Sequence, residues 1–261
     1  RKGINPMSRD HLVIFDMQVT PHSNLKQLNP IGHYIVEHQP EVIVVIGDWW
    51  DMFSLNSYDR GTKKAEGARY SEDIKAGLTA MQRMLSPMWE YNNHRRDMKK
   101  VQYRPEMHFT IGNHEERIKR HINANPHLDG QIGYHDFKLK ETGFIVHPFL
   151  QPVIIDGIEY VHYVQNRNSA SPKGSSKLAM DQTKVSVTQG HRPCLDISTA
   201  WSDKDGMMWS ITCGASYLDD EEYKGPQGNK HWRGIVHKRN VSGGDFDPSF
   251  IRLDSLIKEY G

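Results

Sequence analysis

The stretch VIVVIGDWWD, residues 42–51, decides the fold of this chain. Its first five residues are β-branched and apolar, a pattern that is typical of a strand buried on both faces and is too short for a helix. The run stops at Gly47, and two carboxylates follow it, Asp48 and Asp51. We therefore predict a buried strand that presents carboxylates at its carboxyl end.

Four more apolar runs end in a polar residue that can bind a ligand. They occupy residues 12–16, 107–115, 159–162 and 185–191, and their terminal polar residues are Asp16, Asn113, His114, His162 and His191. Between the first two strands, residues 25–38 carry apolar side chains at helical spacing and end before Pro40, which completes a βαβ unit. Because the strands of such units are parallel, their carboxyl ends share one edge, and we expect these side chains to converge.

Length and composition leave several classes of protein open and disfavour others. The 261 residues carry 33 basic and 32 acidic side chains, a net charge of +1, so charge alone provides no general attraction to nucleic acid or membrane. The two cysteines, Cys194 and Cys213, indicate a reducing compartment, and the lack of a Cys-x-x-Cys motif disfavours structural zinc. The sequence has no apolar run of about 18 residues and no signal peptide, so we expect a soluble, cytoplasmic protein without a membrane partner.

The distribution of helical and strand patterns predicts one mixed α/β domain over residues 7–261. We expect residues 1–6 to be an extraneous leader outside the fold. Strand and helix alternate in the first half, whereas the second half is predicted to be mostly antiparallel strand, with a hairpin turn at Asp156-Gly157. Residues 49–70 are expected to form a long functional loop, and Ser71 to cap the helix that follows it.

The polar residues at the strand ends have the chemistry of a metal site. Carboxylate, amide and imidazole ligands without thiolates suit Mn, Mg, Zn or Fe. A central aspartate can bridge two ions about 3.5 to 4 Å apart, the arrangement that clamps the attacking and leaving oxygens in phosphoryl transfer. A single Asp or His after a strand is more often a turn or core residue, so the prediction depends on the joint pattern.

In order and spacing, these motifs resemble those of the calcineurin-like metallophosphoesterases. The matching residues are Asp16-Met17-Gln18, Gly47-Asp48-Trp49-Trp50-Asp51, Gly112-Asn113-His114-Glu115, His162 and Gly190-His191-Arg192-Pro193. The resemblance implies a four-layer α/β/β/α sandwich, in which two mixed sheets are flanked by helices and a dinuclear site lies at the strand ends. The segments at 58–61 and 223–229 look like those of members encoded by bacteriophages, which would place the protein in the cytoplasm of a host cell.

The resemblance also implies a role for each residue. Asp48 bridges two divalent ions, of which Mn is the expected metal and Mg, Zn or Fe are alternatives. His114 protonates the leaving oxygen, Asp51 orients His114, and Arg117 binds a phosphate oxygen unless it lies on a solvated helix face, while a metal-bridged hydroxide attacks. Glu115 is expected to be structural. The implied metal ligands are Asp16, Gln18, Asp48, Asn113, His162 and His191, and Asn113 also belongs to the catalytic set.

Two residues depart from the family pattern, and both positions normally serve the first metal. Gln18 and Pro193 stand where the family usually has histidine. Proline has no side-chain donor, and a glutamine amide oxygen is a weak, neutral ligand. We therefore expect Asp16, Gln18 and Asp48 to form a weak first site that prefers Mn or Mg to Zn. His22, in the same loop, is an alternative donor.

The sequence favours a phosphodiester substrate, nucleic acid included, because basic runs lie at residues 95–100 and 117–120. The aromatic residues near the site that can stack on bases are Trp49, Trp50, Phe53 and Tyr58. The alternative is that the first run is a solvated helix end and the aromatic residues form a loop core. Two other functions stay open, a phosphomonoesterase acting on a small molecule or phosphoprotein, and a non-catalytic binding scaffold. The acidic run at 219–222 is expected to be a solvated loop, and the oligomeric state is left open.

Overall fold

The computed structural model describes residues 8–57, 61–63, 66–202, 206–221 and 225–261. The expected leader at residues 1–6, the stacking residue Tyr58 and Glu222 of the acidic run lie outside the described residues. The bacteriophage-like segments at 58–61 and 223–229 lie partly outside them.

Six strands form the first sheet. They are β1 (Arg9–Ile14), β2 (Val42–Val45), β3 (Glu106–Thr110), β4 (Phe144–His147), β10 (Gly234–Ser242) and β11 (Asp245–Arg252), in the spatial order β11-β10-β1-β2-β3-β4. Strands β1 to β4 are parallel, and β10 and β11 extend the sheet antiparallel beside β1. This order places the residues that follow β1, β2 and β3 at one edge of the sheet.

Five strands form the second sheet. They are β5 (Val153–Ile155), β6 (Ile158–Val161), β7 (Ser186–Gln189), β8 (Leu195–Ser202) and β9 (Gly206–Cys213), in the order β5-β6-β7-β9-β8. Strands β6, β7 and β9 are parallel, so the expectation of a mostly antiparallel second half is wrong for this sheet. The predicted hairpin is confirmed between β5 and β6, where Asp156 and Gly157 both have positive φ angles, 48° and 86°.

The helices of the described residues are α1 (Leu28–His38), α2 (Tyr70–Asp97), α3 (Arg117–Ala124), α4 (Ser176–Thr183), α5 (Gly225–Gly228) and α6 (Leu253–Tyr260). The predicted cap at Ser71 is wrong, because α2 begins one residue earlier, after the extended Arg69. Helix α2 continues through Pro87, and the Ser86 hydroxyl donates to the carbonyl of Arg83 that proline leaves without its usual donor. None of these helices is long and apolar enough to cross a membrane.

The side chains of β1 alternate between two apolar cores. Leu12 and Ile14 pack with residues of α1, α2 and α6 on one face of the first sheet. Val13 and Phe15 pack against the second sheet, whose opposite face is covered by α4 through Ala179. The fold class is therefore α/β, with two mixed sheets and flanking helices, and the long β-branched run of β2 is buried on both faces as predicted.

Lys238 on β10 is fully buried between the two sheets, with no carboxylate partner among the described residues. Its ammonium group donates to the Thr188 hydroxyl and lies 3.4 Å from the Tyr160 hydroxyl and 4.6 Å from the centroid of the Phe246 ring. Burial lowers the pKa of Lys238 well below its usual value. Burial therefore disfavours the ammonium form of Lys238 in the folded chain relative to the unfolded chain.

The variant Lys238→Met is expected to raise the free energy of unfolding by about 1 to 3 kcal/mol at pH 7. Methionine fills a similar volume and avoids the free-energy cost of burying an amine that can carry charge. Because the pKa of Lys238 is lower in the folded chain than the unfolded value of about 10.4, this side chain makes the free energy of unfolding rise with pH between those two pKa values. The variant lacks the contribution of Lys238 to this increase of stability with pH. Urea unfolding at about pH 7 and about pH 9 measures both effects, with the exposed Lys177→Met as control. A less stable variant with an unchanged pH slope contradicts the prediction.

Candidate metal centre

Five polar residues that follow strands converge where the two sheets meet. Asp16, Asp48 and Asn113 follow β1, β2 and β3, and His162 and His191 follow β6 and β7. One ligand atom each from Asp48, His162 and His191 lies within 4.8 Å of the other two. Asp48 and His162 are buried, and His191 is half-buried. The structure thus brings together Asp48, His162 and His191, three of the metal ligands that the resemblance implies.

The atoms that face one another in this cluster can all act as lone-pair donors to a cation. The Nδ1–H of His162 donates to the Ile46 carbonyl at 2.9 Å, which directs Nε2 into the cluster. That nitrogen lies 3.2 Å from Asp48 Oδ2 and 2.9 Å from Asn113 Oδ1, and His191 Nδ1 approaches the same amide oxygen at 2.7 Å. Only a proton or a cation can hold such atoms together.

The pKa of His162 reflects how strongly this cluster attracts positive charge. Burial lowers the pKa of His162, but the carboxylate of Asp48 outweighs it and raises the pKa to about 10. Burial likewise raises the pKa of Asp48, whereas the positive charges of His114 and His162 hold it well below its usual range. The same arrangement of one carboxylate, one amide oxygen and two imidazoles fits a divalent ion.

The backbone around Asp48 explains why glycines flank it. Asp48 itself has a φ of 46°, and Gly47 has a φ of 65°, so the chain turns sharply at the end of β2. A Cβ atom on Gly112 would lie 2.3 Å from the Asp48 nitrogen, so only glycine allows the two strand-end loops to meet. The Oδ1 atom of Asp48 accepts the His114 N–H at 2.9 Å, which leaves Oδ2 directed toward His162.

Asp16 supplies the acceptor of the predicted first site. Its side chain is fully buried, and Oδ1 accepts the His191 N–H at 3.1 Å. The Oδ2 atom has no hydrogen-bond partner among the described residues. Burial raises the pKa of Asp16 to about 7, against the opposing charge of His162. A buried carboxylate oxygen without a donor is the kind of group that a cation satisfies.

The other residues at the predicted first site differ in whether they have a side-chain atom that can bind a metal. Gln18 has a φ of 47°, donates its N–H to the Asp48 carbonyl at 2.8 Å, and lines an open cleft. Pro193 has no side-chain donor, and His22 also lines the cleft. The weaker first site, made by Asp16, Gln18 and Asp48, therefore stays a prediction.

His114 lies beside the cluster with its ring held by Asp51. Its Nδ1 atom lies 2.7 Å from Asp51 Oδ1, and its Nε2 atom lies 3.7 Å from Asp48 Oδ2. Arg117 donates from Nη1 to the Asp51 carbonyl at 2.6 Å, and its Nη2 lies 3.4 Å from His114 Nε2. Burial lowers the pKa of His114, but the carboxylates of Asp48 and Asp51 raise it overall. Arg117 thus lies at the site rather than on a solvated helix face.

Glu115 joins the loops that carry the cluster. Its Oε2 atom accepts the N–H groups of Asp48 and Gly112, both at 2.9 Å, and Oε1 accepts the Trp50 N–H at 3.0 Å. The side chain is fully buried and points away from the cleft lining. Its contacts agree with the structural role that the sequence suggested.

The expected stacking role is wrong for Trp49 and Trp50. Both are fully buried, and their indole N–H groups donate to the carbonyls of Gly77 and Ile74 in α2. They form loop core, the alternative that the sequence left open. Of the predicted aromatic residues, Phe53 lines the cleft.

The cleft beside His114 has a volume of about 680 Å³. Its lining residues are Gln18, Thr20, His22, Ser23, Asp51, Phe53, Asn56, His114, Arg117, Tyr217, Asp219, Asp220 and Glu221. The described residues of the acidic run, 219–221, lie in a loop, and the Asp220 side chain is 73% exposed, as expected of a solvated loop. The same residues form one wall of the cleft, and Asp219 accepts the Asn24 N–H at 2.8 Å.

The basic run at residues 95–100 does not contribute to this cleft. It lies at the end of α2, ahead of β3, whereas the cleft lies beyond the carboxyl ends of the parallel strands. The run borders a separate depression with Arg104, at the opposite edge of the sheet. It therefore gives no support to nucleic acid as the substrate of the metal centre.

Comparisons with known proteins do not assign a family. No protein-family model matches the chain, and no curated protein matches it. Among solved structures, one crystal structure aligns with 94% of this chain and 100% of its own length, at 10% identity and a TM-score of 0.34. A likeness this slight carries no argument about fold or function.

Proposed function

We propose that the chain is a metal-dependent phosphoesterase that hydrolyses a phosphodiester. The observation that carries the proposal is the convergence of Asp48, His162 and His191 within 4.8 Å, beside an imidazole that a carboxylate holds in place. The four-layer α/β/β/α sandwich belongs to the same proposal. It is supported by two sheets packed face to face, with α1 and α2 outside one and α4 outside the other.

The residues present fit two divalent ions, for which Mn is proposed. Asp48, Asn113, His162 and His191 would hold the second ion, and Asp16, Gln18 and Asp48 the first. Ions bound there would activate water as the nucleophile and neutralise charge on the phosphate.

His114 is proposed to donate a proton to the leaving oxygen. Its Nδ1 atom is held by Asp51 at 2.7 Å, so Nε2 is the ring nitrogen proposed to donate to a substrate in the cleft that His114 lines. Arg117 fixes the Asp51 loop through the 2.6 Å bond to its carbonyl and presents Nη2 next to His114 Nε2. A phosphate oxygen between these groups would be bound by the guanidinium while its ester oxygen faces the imidazole.

The charge of the cleft favours a diester over a monoester. Arg117 is already paired with Asp51 at 3.3 Å and Asp220 with Arg233 at 2.6 Å, and Asp219 and Glu221 add further negative charge to the acidic wall of the cleft. A monoester carries a charge of about −1.5 to −2 near neutral pH, whereas a diester carries −1, so the wall repels the monoester more strongly. The same wall opposes a long polyanion, which favours a small diester over nucleic acid.

The test is turnover by the Mn-loaded protein on bis-p-nitrophenyl phosphate, p-nitrophenyl phosphate, and single- and double-stranded DNA. We expect the small diester to be hydrolysed best and DNA least. Preference for the monoester supports a phosphomonoesterase instead, and preference for DNA supports a nuclease. No turnover on any of them, with Mn bound, supports a non-catalytic scaffold and overturns the proposal.

The variant His114→Ala is expected to lower kcat by about 100-fold to 10,000-fold on a diester with an alkyl leaving group, because it removes the proton donor, and by much less on bis-p-nitrophenyl phosphate, whose p-nitrophenolate leaves without a proton. Its affinity for Mn should change little, since the clustered ligand atoms belong to other residues. Steady-state kinetics and calorimetric Mn titration measure the two quantities, with the exposed His127→Ala as control. An equal loss of Mn affinity would make His114 a ligand.

A further inference from the structure

Two aromatic side chains lie beside the candidate metal centre and outside the lining of the cleft. Tyr163 follows His162 directly, and its ring centroid lies 4.8 Å from that of His191. Phe149, just after β4, meets the Tyr163 ring edge-on at 5.8 Å. Both rings are half-buried, and neither lines the cleft beside His114. They present partly open aromatic surface next to the candidate ligands, where the buried tryptophans present none.

A positively charged side chain, that of Arg120, lies next to Asn113, another of the candidate ligands. Arg120 lies on α3 one turn beyond Arg117, is exposed, and donates from Nη2 to the Asn113 carbonyl at 3.4 Å. The Oδ1 atom of Asn113 lies 2.7 Å from His191 Nδ1, and the His191 ring is the one that Tyr163 contacts. Arg120 and Tyr163 therefore lie on the two sides of the same pair of candidate ligands.

We propose that Phe149, Tyr163 and Arg120 form an aryl-binding shelf, which takes a planar ring carried by one ester group of the substrate. The surroundings of the centre differ in charge, because four carboxylates line the cleft together with Arg117, whereas the exposed Arg120 lies beside Asn113. An anionic substrate with a planar group is thus drawn toward the shelf, where rings and guanidinium groups stack well. The inference rests on the proposed phosphodiesterase function and names its substrate class, a diester with an aromatic ester group.

Kinetics with two substrates test the shelf. Bis-p-nitrophenyl phosphate and methyl p-nitrophenyl phosphate release the same p-nitrophenolate and differ only in the ester group that stays behind. We expect the Mn-loaded protein to prefer the aryl diester in kcat/KM, and Tyr163→Ala to reduce that preference about tenfold, mainly through KM. Tyr163→Phe keeps the ring and should keep the preference. Arg120→Ala should raise KM for both diesters, whereas the neighbouring Lys119→Ala should not.

A binding measurement keeps the shelf testable apart from catalysis. Calorimetry with the Mn-loaded protein compares phenyl phosphate with methyl phosphate, and the advantage of phenyl phosphate should fall about tenfold in Tyr163→Ala. If neither diester is hydrolysed but this advantage depends on Tyr163, the proposed function fails and the shelf stands. If both diesters are hydrolysed and Tyr163→Ala keeps the aryl preference, the shelf fails and the function stands. A loss of Mn affinity in Tyr163→Ala with no change in either preference would show that Tyr163 only supports His191, and would overturn the shelf.

Discussion

Replacement of Asp48 by Asn is expected to lower diester turnover by about a thousandfold or more. The residue joins the two halves of the centre, since Oδ2 lies 3.2 Å from His162 Nε2 and the side chain is 1% exposed. An amide keeps an acceptor for the His114 N–H but removes the negative charge that attracts cations into a buried site. Turnover of bis-p-nitrophenyl phosphate and the Mn dissociation constant, from calorimetry, measure the loss.

Two controls make the Asp48→Asn result specific. Asp97→Asn makes the same chemical change at a side chain that is 75% exposed on α2, and it should leave turnover and Mn affinity unchanged. Circular dichroism and the thermal midpoint in chelator should show that Asp48→Asn folds as the parent does. A folded Asp48→Asn protein with full activity would overturn the assignment of the centre.

Replacement of Glu115 by Ala is expected to destabilise the protein by about 3 to 5 kcal/mol, because three backbone N–H groups lose their buried acceptor at once. Those groups belong to the loops that carry Asp48 and Asn113, so Mn affinity should fall as well, by about tenfold or more. Urea unfolding in chelator gives the stability, and Mn titration below the unfolding temperature gives the affinity.

A graded series separates the anchoring role of Glu115 from a general loss of charge. Glu115→Gln keeps one oxygen acceptor and should lie between the parent and Glu115→Ala in both measurements. Glu141→Ala removes a carboxylate from an exposed position and should change neither. If Glu115→Ala is as stable as Glu141→Ala, the three hydrogen bonds do not hold the loops.

The strands and their polar ends could be predicted because their signal is local. An unbroken β-branched run buries both faces of β2, and Gly47 supplies the φ of 65° that ends the run, so the position of Asp48 follows from neighbouring residues alone. The parallel order then implied that Asp16 and Asn113 would lie at the same edge. Less was predictable in the second sheet, because β6, β7 and β9 pair as parallel strands through partners distant in the chain.

The sequence by itself determined the α/β class, the buried β2 strand and the residues at the strand ends. Only the tertiary structure decided which polar atoms meet, such as His191 Nδ1 and the Asn113 oxygen, 78 residues apart and 2.7 Å distant. It also decided that Trp50 packs on α2 in the core while Tyr163 lies beside the centre. The physical reason is that a strand pattern depends on adjacent side chains, whereas burial and pairing at a site depend on which distant elements pack together.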